Sequence, residues 1–394
     1  MRLALILNTV VRKVNFTKVY TLHYSFSSVI LSKYQFGKIS SPKSESMKRS
    51  FSTMSGLKFD EPATIGTHDG VFHCDEALAC YLLRKIPQLK KSEIIRSRDS
   101  KVLDKCSIVV DVGGVYDPER HRYDHHQREF MHTLSSIRPE CPDKHIRLSS
   151  AGLIYAHFGK EIIGYILNDL DLTDDQLKLL YLRVYEDFVE ELDGIDNGIP
   201  QYSEGKAAFR INTHVSARIA MLNPKWNSPD DVDVQELFYK AMEMVGKEFE
   251  ESLLYAAKVW LPGRQLVKQA IEKRFDVYKT GEIMELSNRC PWKEHLFSLE
   301  KELGIKDEIK YVIFQDIKGQ WRVQGVPTEP NGFICRVFLH DDWQGLRDEV
   351  LSEKSGIPGC IFIHANGFIG GHLNRDGVLE MARRSLEFKN SKIQ

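Results

Sequence analysis

The sequence predicts an α/β fold in which an N-terminal domain with a parallel sheet is joined by a helical connector to a smaller, mixed α+β C-terminal domain. Three observations support this prediction. Apolar β-type runs alternate with helical patterns between residues 63 and 197, residues 228–262 are acidic and amphipathic, and β-type runs prevail after about residue 265. The 394 residues suffice for two domains once any targeting segment is removed.

The beginning of the chain differs in composition from the rest. Its first 50 residues hold nine Lys or Arg and nine Ser but a single acidic residue, Glu45. This composition is typical of a peptide that directs a protein to the mitochondrial matrix. We therefore expect residues 1–55 to be a leader, and a product that starts at Met47 or Met54 to remain outside the mitochondrion, in the nucleus or nucleolus. A tail without a targeting role is the alternative.

Charge and cysteine content narrow the class of protein. Beyond residue 50 the chain has 45 Lys or Arg against 54 Asp or Glu, whereas proteins that bind duplexes non-specifically are usually basic. Any contact with nucleic acid must therefore be confined to a small region, such as a cleft with a few Lys and Arg nearby. The seven cysteines include no Cys-x-x-Cys pair, which argues against a disulfide framework and fits a reducing compartment. No run approaches the roughly 18 apolar residues that span a bilayer.

The N-terminal domain is predicted over residues 56–227. Its predicted strands are 63–67, 93–96 and 107–112, and its predicted helices begin near Asp75, Ser149 and Thr173, the last one ending near 193–198. Thr173 and Gln176 have the spacing of a capping box.

The connector and the C-terminal domain are predicted over 228–264 and 265–394. The connector is expected to be helical from Pro229 to Trp260 and to be closed by Pro262 and Gly263. The β-type runs that follow are 274–278, 309–315, 320–326, 334–339 and 361–365.

Histidines and aspartates recur in three bursts that follow apolar runs. The first burst contains His68, His73 and Asp75, the second contains Asp111, and the third is Asp124-His125-His126. Such positions meet at the carboxyl edge of a parallel sheet. Imidazole and carboxylate donors suit Mn, Zn or Fe, and a carboxylate can bridge two ions about 3.5–4 Å apart. The pattern predicts a metal-dependent hydrolase that acts on a phosphate ester.

A lone histidine or aspartate is more often structural, and Asp75 is also well placed to cap a helix. Asp111 is different because it directly follows the apolar run 108–110. A carboxylate there must be paired, coordinated or at the sheet edge, since an unpaired buried charge is very costly. We favour coordination.

The order of these residues resembles that of the DHH phosphoesterases, which include exonucleases, oligoribonucleases and manganese pyrophosphatases. Three stretches resemble the melanocyte-proliferating-gene family of exonucleases more closely: GTH at 66–68 with FHCDEALA at 72–79, YDHHQ at 123–127, and FIGGH at 368–372. The resemblance covers residue 63 to about 385. It implies a DHH-like N-terminal domain.

The resemblance also implies two metal ions. His68 and His73 would hold one, Asp75 and His125 the other, and Asp111 would bridge them. Most DHH enzymes have an aspartate at the place of His73, with a spacing one residue shorter. The histidine lowers the ligand charge, which shifts the metal preference from Mn toward Zn. Mn is still expected first on the resemblance, with Zn or Mg as alternatives.

Three further roles follow from the resemblance. One more ligand is either Asp193 or Asp196, because both extend an apolar stripe of the same helix; a solvated acidic helix end is the alternative for both. Asp124 would orient a ligand histidine. His126 would donate a proton or a hydrogen bond to the substrate.

Gly370, Gly371, His372 and Arg375 resemble the Gly-Gly-His substrate loop of the second DHH domain. Glycines expose backbone N–H groups, and the residues that follow open a helix whose N-terminus attracts anions. Alone, a Gly-Gly pair is more often a turn.

The predicted activity is therefore metal-dependent phosphodiester hydrolysis. The resemblance alone implies the substrate and direction, namely single-stranded RNA shortened from its 3′ end in mitochondria and nucleus. A phosphatase acting on pyrophosphate or short oligonucleotides is one alternative. A non-catalytic, metal-stabilised interaction protein is another. The oligomeric state stays open.

Overall fold

The N-terminal part of the chain is built on a five-stranded sheet with a parallel centre. The computed structural model describes residues 62–392 apart from 203, 206 and 331, so the predicted leader lies outside the described residues. The strands are β1 (Thr64–Thr67), β2 (Glu93–Arg96), β3 (Ile108–Val110), β4 (Tyr116–Asp117) and β5 (Arg122–Tyr123). Their order is β2-β1-β3-β5-β4, in which only β4 runs antiparallel to its neighbour.

The predicted strands of this sheet are confirmed. Strand β3 is fully buried at the centre, as expected of an apolar run in a parallel sheet. Because β1, β3 and β5 are parallel, their carboxyl ends lie at one edge. His68, Asp111 and Asp124 directly follow these three ends.

Within the described residues, the N-terminal part as far as residue 220 also contains two short 3-10 helices (Pro87–Leu89 and Pro118–Arg120), seven α-helices and one π-helical turn. The α-helices and the π turn are, in chain order, α1 (Cys74–Leu83), α2 (Ser100–Leu103), α3 (Leu134–Ile137), α4 (Ser150–Ile166), α5 (Asp174–Val184), the π turn Tyr185–Val189, α6 (Glu190–Asp196) and α7 (Val215–Ala220). Every residue of α1 is buried, which is typical of a helix enclosed on all sides. The predicted capping box is confirmed: Thr173 N–H donates to Gln176 Oε1 at 2.9 Å, and Gln176 N–H donates to Thr173 Oγ1 at 3.2 Å.

The connector is helical, but the prediction that Pro262 and Gly263 end it is wrong. Helix α8 (Val234–Tyr255) passes through a π turn (Ala256–Trp260) into α9 (Leu261–Glu272). Proline is tolerated in the first turn of a helical segment because its missing N–H needs no partner there. Gly263 serves close packing instead, since a Cβ on it would lie 3.3 Å from Pro291 Cδ.

A second five-stranded sheet forms the C-terminal part. Its strands are β6 (Ile283–Glu285), β7 (Tyr311–Gln315), β8 (Trp321–Gly325), β9 (Cys360–Ile363) and β10 (Ile369–His372), in the order β6-β7-β8-β10-β9. The first pair is parallel and the other pairs are antiparallel. The helices are α10 (Arg274–Val277), α11 (Trp292–Leu303), α12 (Asp348–Ser355) and α13 (Arg375–Ser391).

Two predicted strands of this part are wrong. Residues 274–278 form α10 and the turn after it, because the buried Arg274 guanidinium donates to the Ile271 carbonyl at the end of α9. Residues 334–339 form no strand, since Cys335 makes only an isolated bridge with Pro327 and Leu339 N–H donates to the Gly367 carbonyl. The predicted runs 309–315, 320–326 and 361–365 are confirmed as β7, β8 and β9.

The two helices of the connector pack into different hydrophobic cores. Buried side chains of α8 belong to the core that also contains α1 and α4, whereas Val267, Ala270 and Ile271 of α9 pack with residues of the second sheet. Within the described residues, no helix is both long and apolar enough to cross a membrane.

Candidate metal centre

The ends of the parallel strands bring two histidines to opposite sides of Asp111. His68 Nε2 lies 3.3 Å from Asp111 Oδ2, and His125 Nε2 lies 3.1 Å from Asp111 Oδ1. All three side chains are buried. The Asp111 carboxylate thus offers one oxygen to each histidine, which is the placement expected of a shared ligand.

The backbone of Asp111 is strained. Its φ is 60°, in the left-handed region that only a few per cent of non-glycine residues adopt. The Asp111 N–H donates to the Tyr123 carbonyl at 3.0 Å, so pairing with β5 holds the residue in place. Such strain concentrates at functional sites. Here it turns the carboxylate at the end of β3 toward the two histidines.

The tautomer of His68 is fixed by its other nitrogen. Nδ1 lies 3.0 Å from the Asp69 carbonyl, which only accepts, so Nδ1 carries a proton. Nε2 faces Glu76 Oε1 at 3.1 Å as well as Asp111. Burial opposes protonation of this ring, but its hydrogen bonds with Asp111 and Glu76 outweigh burial and raise its pKa to about 10. A positive charge, either a proton or a metal ion, is favoured between these groups.

Carboxylates also crowd around His125. Its Nε2 lies 3.2 Å from Asp196 Oδ2 and 3.9 Å from Asp75 Oδ2. Ser150 Oγ–H donates to Asp75 Oδ2 at 2.7 Å. The other oxygen, Asp75 Oδ1, is buried and has no hydrogen-bond partner among the described residues. A buried carboxylate oxygen without a partner is costly, and a bound cation would satisfy it.

The charges of the cluster are unbalanced. Burial, assisted by the neighbouring carboxylates, raises the pKa of Asp75 and brings the pKa of Glu76 and of Asp196 to about 8. Burial acts the same way on Asp111, but hydrogen bonds with His125 and His68 hold its pKa well below the usual range. Four carboxyls in a small buried volume fit divalent cations, which would replace the protons.

Three groups of side chains each bring donor atoms within 4.8 Å of one another: His68, His73, Glu76 and Asp111; Asp111, His125 and His126; and His73, Asp75 and Asp196. Asp111 and His73 each belong to two groups. Imidazole and carboxylate donors together suit Mn or Zn.

The structure distinguishes Asp193 from Asp196, between which the sequence could not choose as the further ligand. Asp196 lies in the cluster, whereas both oxygens of the fully buried Asp193 are engaged elsewhere. Asp193 Oδ1 accepts from Ser149 N–H and Oγ–H at 2.9 and 2.7 Å, and Oδ2 accepts from Tyr185 O–H at 3.0 Å. A Cβ on Gly152 would collide with this carboxylate. The geometry favours Asp196 as the candidate ligand and gives Asp193 a supporting position.

Asp124 orients His126. Its Oδ1 accepts from His126 N–H at 3.1 Å and from the ring Nδ1 at 2.7 Å, and its Oδ2 accepts from Gly114 N–H at 2.6 Å. Asp124 is buried, whereas the His126 side chain is 63% exposed. His126 Nε2 is therefore directed away from Asp124.

Glu76 is the main residue that the sequence analysis missed. Its two carboxylate oxygens accept from His73 N–H at 2.8 and 3.0 Å, and Oε1 also faces His68. Its position three residues after His73, at the start of a helix, was the available signal. That spacing predicts that Glu76 caps the helix, but it gives no indication that Glu76 also contacts His68.

A cavity of about 390 Å³ opens beside the cluster. It is lined by His73, Cys74, Asp75, Leu192, Ile195, Asp196, His214, Ser216, Ala217 and Ala220. The last four come from α7 and the residue before it. No spacing in the sequence links them to the histidine and aspartate bursts.

The C-terminal Gly-Gly-His segment differs from the predicted loop. Gly370 and Gly371 are buried in the middle of strand β10, between β8 and β9. His372 is 1% exposed, its Nε2–H donates to the Pro358 carbonyl at 2.9 Å, and its Nδ1 accepts from Asn374 N–H at 3.0 Å.

Arg375, which begins α13, is half-buried and pairs with Glu285 at 2.6 Å. The expectation of a loop is thus wrong, because paired strands surround these glycines. The substrate-binding role of Gly370, Gly371, His372 and Arg375 stays a prediction.

Comparison with known proteins agrees with the predicted family. The family model MYG1_exonuc, described as an uncharacterised protein family (UPF0160), matches residues 64–386. "MYG1 exonuclease" of Homo sapiens is 52% identical over 330 residues, 84% of this chain and 87% of the human protein. "MYG1 exonuclease" of Bos taurus is 53% identical over 326 residues, 82% of this chain and 85% of that protein. "MYG1 protein" of Dictyostelium discoideum is 50% identical over 326 residues, 82% of this chain and 96% of that protein. The chain belongs to the MYG1 family (UPF0160).

Proposed function

We propose that the protein is a metal-dependent phosphodiester hydrolase that acts as an exonuclease. The observation that carries the proposal is the buried cluster around Asp111, in which His68 and His125 face carboxylates and Asp75 Oδ1 has no hydrogen-bond partner within the part of the chain that the structure describes. The names of the human and bovine relatives support a nuclease.

We assign the ligands to two divalent ions that share Asp111. His68, His73 and Glu76 would hold the first, and Asp75, His125 and Asp196 would hold the second. When bound, two such ions lower the pKa of water and stabilise charge on a transferring phosphoryl group. Mn is the first choice, with Zn or Mg as alternatives.

His126 is the side chain proposed to act on the substrate. Its hydrogen bond with Asp124 raises the pKa of the ring, which favours a proton on both nitrogens. With Nδ1–H held by Asp124, Nε2–H is free to donate to a phosphate oxygen or to the leaving oxygen. Asp124 fixes the orientation of the ring.

We propose single-stranded RNA as the substrate and its 3′ end as the site of attack. This rests on the family resemblance, and the relatives' names support action at a strand end. The acidic balance of the chain beyond residue 50 agrees with recognition confined to the cleft. A pyrophosphate-type phosphatase is the competing candidate. A non-catalytic role is disfavoured because every predicted type of ligand is present in the cluster.

Degradation of a labelled RNA oligomer tests this function. With a 5′ label and Mn²⁺, attack at the 3′ end yields a ladder of labelled products shortened one nucleotide at a time, and mass spectrometry finds nucleoside monophosphates. Immediate release of a labelled mononucleotide would show attack from the 5′ end. Hydrolysis of pyrophosphate with no RNA turnover would instead support the phosphatase.

We also propose that residues 1–50 direct the protein to mitochondria, on the basis of their nine Lys or Arg and single acidic residue. A fluorescent reporter fused to this segment should enter mitochondria. Products that start at Met47 or Met54 should be found in the nucleus instead. Equal distribution of the fusions would contradict the proposal.

A further inference from the structure

The cavity beside the candidate metal centre has two chemically different walls. One wall carries the candidate ligands His73, Asp75 and Asp196, and the other carries His214 and Ser216 at the start of α7. A phosphate that bound metal ions on the first wall would present its remaining oxygens to the second. Those oxygens accept hydrogen bonds, so the second wall needs donors.

The hydrogen bonding of His214 makes it a donor. Ala217 N–H donates to His214 Nδ1 at 3.3 Å. Because Nδ1 accepts, the proton of the neutral ring is on Nε2. Among the described residues, Nε2 makes no hydrogen bond, and the side chain is half-buried at the cavity. Nε2–H is thus a donor without a partner among the described residues, on a side chain that lines the cavity.

This wall is held firmly against the segment that bears the ligands. Asn223, which follows α7, makes two buried hydrogen bonds with the backbone of Phe72, at 2.9 and 2.8 Å. Phe72 directly precedes His73. Arg218 of α7 makes two contacts with Glu248 of α8, at 2.7 and 2.6 Å. A donor fixed relative to the ligands contributes more to binding than a mobile one, because less entropy is lost.

We propose that His214 is a substrate-contacting residue whose Nε2–H donates to a non-bridging oxygen of the substrate phosphate. The second wall is then a subsite for the phosphate group of a nucleotide. The inference rests on the proposed function, since it places the phosphate between the candidate ligands and α7.

Two substitutions separate this role from that of a helix cap. Asparagine is a good N-cap, so His214→Asn keeps an acceptor for Ala217 N–H but lacks the longer reach of the imidazole. His214→Ala removes both functions. His145→Asn is the matched control, because the His145 side chain is 85% exposed and does not line the cavity.

The first measurement is binding of a nucleoside 5′-monophosphate to the Mn²⁺-loaded full-length protein by calorimetry. Loss of one hydrogen bond to a charged group should weaken binding by His214→Asn about tenfold to hundredfold. Its metal content and melting temperature should match those of the wild type. His145→Asn should behave as the wild type in each respect.

The second measurement is kcat/KM for RNA, which should fall over the same range in His214→Asn. Wild-type binding and turnover in His214→Asn, with loss only in His214→Ala, would overturn the inference and leave His214 as a cap. Loss of metal from His214→Asn would also overturn it, because the residue would then be a ligand. If the wild type itself fails to degrade RNA, the proposed function fails, while the binding measurement still decides the role of His214.

Discussion

Two histidine-containing regions of this molecule satisfy their polar atoms in opposite ways. In the cluster around Asp111, His68 and His125 face several carboxylates, and Asp75 Oδ1 has no partner among the described residues. In the second sheet, both nitrogens of His372 are hydrogen-bonded to the backbone. One region is a set of donor atoms suited to a cation, and in the other both ring nitrogens of the histidine are hydrogen-bonded within the protein.

The difference indicates what each region does. A cluster that is unbalanced without a cation should gain free energy when an ion binds, so its substitutions should act on metal content and activity. A fully hydrogen-bonded buried side chain stabilises the fold, and its loss leaves unpaired groups.

Asp111→Asn should have the largest effect on activity. Asparagine tolerates a positive φ, so the backbone should remain intact, while one shared negative charge is lost from the cluster. We expect kcat/KM for RNA to fall beyond the roughly ten- to hundredfold loss seen for partners outside the ligand set. Asp143→Asn, at a side chain that is 80% exposed, is the control. Full activity of Asp111→Asn after stripping and reconstitution would refute the shared-ligand role.

His372→Ala should act mainly on stability. It would leave the Pro358 carbonyl and Asn374 N–H without their partner in a buried place and would open a void, at a cost of about 2–4 kcal/mol. The free energy of unfolding, measured in urea, should fall while Mn²⁺ content stays unchanged. A variant as stable as the wild type would contradict this account of the region.

Arg375→Ala tests the substrate-binding prediction for the same region, because Arg375 is part-exposed and its loss disturbs the fold less. If the prediction holds, turnover of long RNA should fall about tenfold to hundredfold. Hydrolysis of a small activated phosphodiester should fall less, since it uses fewer contacts. Equal, undiminished rates for both substrates would remove the region from substrate binding.

Asp196→Asn and Asp193→Asn form a matched pair within one helix. Asp196→Asn should weaken Mn²⁺ binding, measured by calorimetry, and leave the melting temperature of the metal-free protein unchanged or higher. Asp193→Asn should destabilise the fold by about 1–3 kcal/mol, because it disturbs buried hydrogen bonds with Ser149 and Tyr185. The reverse pattern would show that the wrong aspartate has been assigned.

Metal affinity should depend on pH with a definite sign. Burial raises the pKa of Glu76 and Asp196 to about 8, so below that pH these carboxyls hold protons that a metal ion must displace. Apparent Mn²⁺ affinity should rise between about pH 6 and pH 9, with proton release on binding. Calorimetry in buffers of different ionisation enthalpy measures the release. Equal affinity across this range would contradict the protonation of the cluster.

The first sheet and most of its candidate ligands were predictable because the signals are local. A run such as 108–110 predicts a buried strand, and the parallel order places the residues after each strand at one edge. Asp111 therefore meets both His125, 14 residues further along the chain, and His68, which is more distant in the sequence.

The choice between Asp193 and Asp196 was not predictable from helical spacing. Asp193 follows Val189 by four residues and Asp196 follows Leu192 by four, and both apolar residues are buried. Asp193 and Asp196 lie three residues apart in the same regular helix, so helical spacing alone places both beside the buried stripe. Only tertiary contacts separate the two carboxylates.

The role of His372 was missed for a related reason. A Gly-Gly pair is typical of a turn, but glycine is also used where neighbours approach closely. Gly370 and Gly371 lie between two strands, and a Cβ on either would be within 3.1 Å of a neighbouring side chain. That crowding depends on β8 and β9, which the local sequence does not show.

Hydrolysis of 5′-labelled RNA by chelator-stripped protein, as Mn²⁺ is added back stepwise, measures whether turnover depends on metal bound at the cluster. We expect no turnover without metal and a rise that saturates at two Mn²⁺ ions per chain, with the rise absent in Asp111→Asn. Undiminished turnover by the stripped wild-type protein would contradict the metal-dependent function of the cluster.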